Sequence, residues 1–487
     1  MKDNNNFGRL FGLLLITLVI CFGLYGLPET IFNQKIKKVD MLADIRLATG
    51  DPLSASLDSL RVQLEAEQAV ELLPPDSIVV SDSITPARID SIALSAARRD
   101  SIHKVMNASK GLSDPKGSRI EDYSTGHIGL KRFFAALRQS RSRPVRIAFM
   151  GDSFIEGDIM VADFRSAMQQ RFGGHGVGFV PIMSVAAQYR PTISQQPEGW
   201  KMYSIVNDRK QGYTLPGMVF ESKAGQAKLS FRTTSQYAAL KKVNSLKFLY
   251  DRNEGALMQL VYNSIMDTII QPLPPTYSIT QYELNDTITE GSFTFTDAWG
   301  LRALGIALED RTGVVVDNYS LRGNSGLIFE QLDPVACESF RTVRPYDLII
   351  LQYGLNAMDE SMLDYGWYGN RMGKVVRHIQ GCFPDTDLLL LSTPDRANQY
   401  NGAFSTMPAV LALLHTQRQT ARTTKIPFWN LFGAMGGENS MLKFVEKGWA
   451  SKDYTHLTFR GGREIAGSFM KALMLEKEFY DELEGIR

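Results

Sequence analysis

Four polar clusters in this 487-residue chain carry side chains able to act together on an acyl carbon. Gly151-Asp152-Ser153 ends the apolar run Val145 to Met150 and sets a hydroxyl on a sharp turn that glycine permits. Asp453-Tyr-Thr-His456 lies on a polar stretch before the last helical segment. A carboxylate three residues before a histidine can orient the imidazole, which then serves as base to a serine hydroxyl. Gly323, within Asn318-Tyr-Ser-Leu-Arg-Gly-Asn-Ser-Gly326, can present a bare backbone N–H to an oxyanion, and the side-chain amide of Asn356, in Tyr353-Gly-Leu-Asn356, is a second donor for the same anion. Each stretch alone reads as an ordinary turn. Among the other histidines, His378 and His415 fall inside helical patterns, His103 and His127 precede the first strand, and His175 sits in a glycine-rich loop, so only His456 has both a carboxylate partner and a suitable location.

These clusters act together only if the fold brings them to one place. Short, nearly unbroken apolar runs at Val145–Met150, Gly313–Asn318, Asp347–Gln352, Asp387–Ser392 and Ile426–Asn430 read as strands buried on both faces. Helical patterns lie around and between them, at 128–137, 160–172, 298–311, 372–382 and 408–423. Alternation of this kind predicts an α/β fold with a doubly wound parallel sheet, whose ligand crevice opens at the carboxyl ends of the strands. Three of the four clusters sit at such ends.

One interval is too long. A single crossover needs ~30 residues, yet the strand after Met150 begins near Gly313. Residues 188–292 are rich in Thr, Ser and Tyr, with alternating runs such as Ala227–Thr233, Leu246–Tyr250 and Leu257–Tyr262, and predict an inserted β-sandwich. Trp200, Tyr203 and Tyr213 could stack on sugar rings or fill the sandwich core.

In that order and at strand ends, Gly151-Asp152-Ser153, Gly323, Gly354-x-Asn356 and Asp453-x-x-His456 resemble the four signature blocks of the SGNH (GDSL) hydrolase superfamily over residues 123–487. With its long insertion after the serine block, Gly151-Asp-Ser-Phe-Ile-Glu-Gly-Asp158 most resembles bacterial cell-envelope (peptidoglycan) O-acetylesterases, whose insertion is a β-rich, carbohydrate-binding-like module. Phe154, where those esterases often carry His, and Ala357, where an acidic residue follows the asparagine, depart from the pattern. The resemblance implies a flavodoxin-like three-layer α/β/α fold and a serine esterase mechanism. Ser153 would be the nucleophile, His456 the base and Asp453 its orienting carboxylate, with an oxyanion hole made by the N–H groups of Ser153 and Gly323 and the amide of Asn356. No cofactor is required.

Composition narrows the alternatives. Lys and Arg number 53 against 52 Asp and Glu, so no basic field supports nucleic-acid binding. Three cysteines, Cys21, Cys337 and Cys382, give neither a disulfide framework nor a closely spaced metal site. No charge interrupts Leu10 to Pro28, and residues 7–29 are expected to be an uncleaved transmembrane signal anchor. Residues 30–122, with no aromatic residue between Phe32 and Tyr123, read as a low-complexity spacer. It holds one amphipathic helix, with Leu53, Leu57, Leu60 and Leu64 on one face, and Asp-Ser-Ile triplets at Asp76, Asp82, Asp90 and Asp100. The domain expected beyond it comprises residues 123–187 and 293–487, interrupted by the 188–292 module.

The expected activity is removal of O-acetyl or other acyl groups from an envelope polysaccharide by a membrane-anchored, extracytoplasmic enzyme. An O-acetyltransferase fed by a membrane acyl-transfer partner would use the same triad, and a noncatalytic glycan-binding scaffold would not be labelled at Ser153.

Overall fold

The computed structural model describes residues 30–31, 34–35, 111–263 and 268–485. The chain divides into two units, residues 1–65 and 66–487. Of the first, only an antiparallel pairing of Thr30–Ile31 with Gln34–Lys35 is described. The expected anchor at 7–29 lies outside the described residues, as does the spacer apart from that pairing and residues 111–122. No helix among the described residues is long and apolar enough to cross a membrane.

In the second unit the five predicted apolar runs become β1 (Pro144–Gly151), β2 (Gly313–Ser320), β3 (Leu348–Gln352), β4 (Asp387–Leu391) and β5 (Pro427–Trp429), paired in parallel in the order β2-β1-β3-β4-β5. All five residues of β3 are buried, as a strand covered on both faces requires. Side chains alternate across the sheet. Phe149 meets Phe164 and Phe469 in edge-to-face contacts on one face, while Ala148 and Met150 join the core on the other. The first face is covered by α1 (Val161–Phe172) and α5 (Phe459–Leu483); on the opposite side lie α2 (Pro334–Val343), α3 (Gly366–Cys382) and α4 (Pro408–Thr424). Full burial of a Leu, Ile or Phe side chain stabilises by about 1.5–3 kcal/mol, so this two-sided apolar packing outweighs surface ion pairs worth about 0–1 kcal/mol each.

Folded structure begins before Tyr123. Glu121–Asp122 pairs antiparallel with β5, the buried carboxylate of Glu121 accepts from both Nε and Nη2 of Arg418 at 2.8 and 3.0 Å, and Trp429 Nε1 donates to the Gly117 carbonyl. Composition misses this segment because it is held by carboxylate and backbone hydrogen bonds, with little aromatic or aliphatic burial.

The inserted module is a sandwich of two antiparallel sheets that starts earlier and ends later than residues 188–292. One sheet runs Thr280–Leu284, Ser245–Arg252, Arg302–Glu309, Met218–Ser222, Trp200–Ser204, with Gly178–Pro181 also paired to Arg302–Glu309. The other runs Thr268–Pro272, Leu257–Tyr262, Glu290–Thr296, Ala227–Thr233, Ile193–Glu198. Phe248, Phe293 and Phe295 fill the space between them. Trp200 is buried in the sandwich core and Tyr213 in the core shared with the parallel sheet, against which Tyr203 is partly buried. The helix expected at 298–311 is instead the strand Arg302–Glu309. Ala303, Ile306 and Leu308 face the sandwich core, and Leu304 and Ala307 face the core shared with the parallel sheet. A strand apolar on both faces lacks the period-2 signal and cannot be told from a buried helix by pattern.

A buried ionic network joins module to sheet. Glu309 accepts from Arg146 of β1 (2.6 Å), Arg344 (2.8 Å) and Lys247 (2.8 Å), and Arg344 also donates to Asp317 of β2 (2.7 Å). Burial alone would raise the Glu309 carboxyl, but these three cations hold it well below the ordinary carboxylate range.

Candidate active site

Ser153 follows the end of β1. Its turn is tight: a Cβ on Gly151 would lie 2.8 Å from the Ile155 side chain and 3.0 Å from the Gln352 carbonyl oxygen of neighbouring β3. His456 comes from the loop before α5, whose first turn is capped by the Thr458 hydroxyl accepting from Gly461 N–H. Ser153 Oγ lies 3.0 Å from His456 Nε2, and His456 Nδ1 lies 2.7 Å from Asp453 Oδ2. With Nδ1–H donating to the carboxylate, Nε2 is left to accept from the serine hydroxyl. Asp453 Oδ1 also accepts from the backbone N–H groups of Thr455 and His456 and from the Ser451 hydroxyl, which fixes the loop. Burial would raise the Asp453 carboxyl, yet His456 and Ser451 hold it well below its ordinary range. Side-chain exposures of 27% for His456 and 39% for Asp453 leave the pair open to solvent.

The two other predicted residues come from neighbouring strand ends. Gly323 follows β2 with φ of +70°, and open space lies where a Cβ would project. Its loop is held to the Ser153 turn by Leu321 N–H donating to the Gly151 carbonyl (2.9 Å) and by Arg322 Nε donating to Glu156 (2.6 Å). Asn356 follows β3 after Gly354, whose φ of +142° favours glycine. Its amide is engaged: Nδ2 donates to Asp152 Oδ2 at 3.0 Å and lies 3.3 Å from the Asn324 carbonyl. One N–H is therefore held by Asp152, and the second makes only a long contact that an oxyanion could replace.

Asp152 is the residue that sequence pattern undervalued, because inside Gly-Asp-Ser it reads as a turn residue. It is fully buried, accepts from Phe154 N–H and Asn356, and burial pushes its carboxyl up to about 6, with Phe154 N–H, the charge of His456 and Asn356 opposing the rise. Asp158, in the same loop, was undervalued likewise. Burial would raise it, but Arg165 and Arg190 draw it well below the ordinary range. Two acidic residues in a glycine-containing loop were the available signal; the guanidiniums that pair with Asp158 lie on α1 and in the module, out of reach of any local pattern.

The body is a three-layer α/β/α sandwich with strand order β2-β1-β3-β4-β5, a serine after β1 and a histidine before the final helix, the arrangement that the resemblance to SGNH hydrolases implies. The solved structure of a peptidoglycan O-acetylesterase is similar at a TM-score of 0.59 with 21% identity, over 74% of this chain and 99% of that one, so the two share a fold. More partial matches are a GDSL-like lipase from Parabacteroides merdae (TM-score 0.28, 15% identity, 33% of this chain and 74% of that one) and an acetyl xylan esterase (TM-score 0.26, 15% identity, 33% and 81%). No family model and no curated relative matches the sequence.

Proposed function

We propose that this protein is a serine carboxylic-ester hydrolase that removes O-acetyl groups from a cell-envelope polysaccharide such as peptidoglycan. The observation that carries the reading is the continuous relay Ser153 Oγ to His456 Nε2 (3.0 Å) and His456 Nδ1 to Asp453 Oδ2 (2.7 Å). Ser153 Oγ attacks the acetyl carbonyl as its proton passes to Nε2. The oxyanion is received by the N–H groups of Ser153 and Gly323 and by the Asn356 N–H that it takes over from the long contact to the Asn324 carbonyl. Collapse breaks the ester C–O bond, and the imidazolium protonates the departing sugar oxygen. Water then gives a proton to Nε2, its oxygen attacks the acyl-serine, and acetate leaves as Ser153 recovers its proton. Asp453, kept anionic, stabilises the imidazolium at both stages.

The shared fold of the peptidoglycan O-acetylesterase and the solvent-open triad support a polymeric substrate. The uninterrupted apolar stretch Leu10–Pro28 supports a membrane-anchored protein with an extracytoplasmic body. The test is hydrolysis of a chromogenic acetyl ester and acetate release from an O-acetylated polysaccharide, by the full chain and by Ser153→Ala. Activity unchanged in Ser153→Ala would overturn the assignment. Transfer of acetyl to a sugar acceptor in place of acetate release would make the protein a transferase.

A further inference from the structure

The loop that carries Asp453 and His456 is the tip of a small hairpin of its own. Ala450 pairs antiparallel with Leu457, Ser451 N–H donates to the His456 carbonyl (2.8 Å), and Thr458 N–H donates to the Trp449 carbonyl (3.0 Å). At the tip, Tyr454 has a φ of +54°. A bulky residue seldom adopts the left-handed conformation, and it persists there only where its surroundings over-determine it. Asp453 precedes Tyr454 directly and His456 follows two residues on, so the backbone at Tyr454 sets how carboxylate and imidazole project.

Two contacts from a neighbouring hairpin hold Tyr454 in place. That hairpin pairs Ala397–Tyr400 with Ala403–Thr406 and follows β4, so it stands at the sheet end that carries Ser153. Ala397 N–H donates to the Tyr454 carbonyl (3.1 Å), and the Phe404 ring stacks on the Tyr454 ring, with centroids 3.9 Å apart and planes 15° from parallel. The base of this hairpin is stiff. The buried carboxylate of Asp395 accepts from the Thr406 hydroxyl (2.9 Å), the Ser440 hydroxyl (3.1 Å) and Met441 N–H (2.7 Å), and Met407 N–H donates to the Arg396 carbonyl (2.9 Å). Asn401 and Gly402, both at positive φ, make the tight two-residue turn that twisted hairpins favour. Phe404 is thus presented from a rigid frame while remaining 37% exposed itself.

We propose that Phe404 is a positioning residue for the relay from Ser153 through His456 to Asp453. Its ring holds Tyr454 in the left-handed conformation, and the loop so fixed aims the Asp453 carboxylate at Nδ1 and turns Nε2 toward the Ser153 hydroxyl. The inference rests on the reading of these three residues as a triad that acts on an ester. Alanine at 404 would remove the stack and leave the Asp395 contacts standing, so the hairpin survives and only its grip on the loop is lost.

The test compares the full chain with Phe404→Ala and Phe404→Tyr by kcat and KM on a chromogenic acetate and by the rate at which a fluorophosphonate labels Ser153. Phe404→Ala should lower kcat and the labelling rate by about 10–100-fold with KM and Tm little changed, the loss expected when a reacting group is misplaced by about 1 Å. Phe404→Tyr keeps the stack and should run at wild-type rates. On a Tyr454→Gly background, where glycine reaches the left-handed conformation without a ring to hold it, Phe404→Ala should have little further effect. Wild-type rates in Phe404→Ala, a loss that persists in Phe404→Tyr, or losses that add on the Tyr454→Gly background would overturn the inference. So would a loss confined to polysaccharide, which would make the two rings a platform for substrate. Failure of the esterase reading shows separately, as labelling of Ser153 at a rate that depends on Phe404 without acetate release from any ester.

Discussion

Asn356 Nδ2 donates to Asp152 Oδ2 across 3.0 Å, so the residue preceding Ser153 holds the side chain proposed to receive the oxyanion. The carboxylate takes one N–H and turns the other away from itself, an arrangement in which a buried charge supplies orientation without touching substrate.

That buried charge has a sign that can be measured. Burial pushes the Asp152 carboxyl from an ordinary 3.8 up to about 6, so the folded protein binds this proton more tightly than the unfolded chain. The resulting stabilisation is fully present below pH 3.8 and is lost as pH rises through about 6, a difference on the order of 3 kcal/mol. Asp152→Asn carries no charge to bury. Its Tm should exceed that of wild type at pH 8 and approach it at pH 4, while kcat on a chromogenic acetate falls. Thermal melts at the two pH values, with kcat alongside, check both directions; a lower Tm at pH 8 would sink the account.

Removing the donor itself has a different signature. Asn356→Ala should lower kcat by about 10²–10³ with a folded, cooperative melt, because one oxyanion donor is lost, while the lost hydrogen bond to buried Asp152 lowers Tm only modestly. On that background Asp152→Asn should have little further effect on kcat, since the amide it orients is gone. Additive losses would mean that Asp152 acts by another route.

Asp453→Asn keeps an oxygen for the Thr455 and His456 N–H groups but no longer fixes the imidazole tautomer. In a triad of this type the change costs about 10⁴ in kcat. The Tm at neutral pH should fall modestly, because the depressed carboxyl contributes stability that its 39% exposure screens in part. Parallel collapse of Tm and kcat would mark Asp453 as a purely structural residue of the loop.

Stability should depend on a second site far from the chemistry. Arg344 is 1% exposed at the side chain and donates to both Glu309 and Asp317. Arg344→Ala leaves buried Asp317 without its guanidinium partner and takes one of three cations from Glu309, and should destabilise by about 3–5 kcal/mol, read from denaturant unfolding. Arg344→Met together with Asp317→Asn, which removes that pair and leaves Glu309 to Arg146 and Lys247, should recover a large part of that loss.

Much of this architecture was legible along the chain. The strands β1 to β5 announce themselves because a strand buried on both faces must be apolar throughout, and the triad because glycine turns, a serine and an Asp-x-x-His pair fall where those strands and helices end. Their meeting within hydrogen-bond reach was an expectation that followed from parallel topology, since strand ends converge on one edge. Local pattern failed where partners are distant. Arg302–Glu309 read as a helix because its two apolar faces belong to two different cores. Residues 111–122 read as tether because carboxylates, not aliphatics, bind them down. The roles of Asp152 and Asp158, and the stacking of Phe404 on Tyr454, were decided only by tertiary structure. A carboxylate's orientation and charge state depend on which donors surround it in space, and those donors are supplied by segments tens to hundreds of residues apart.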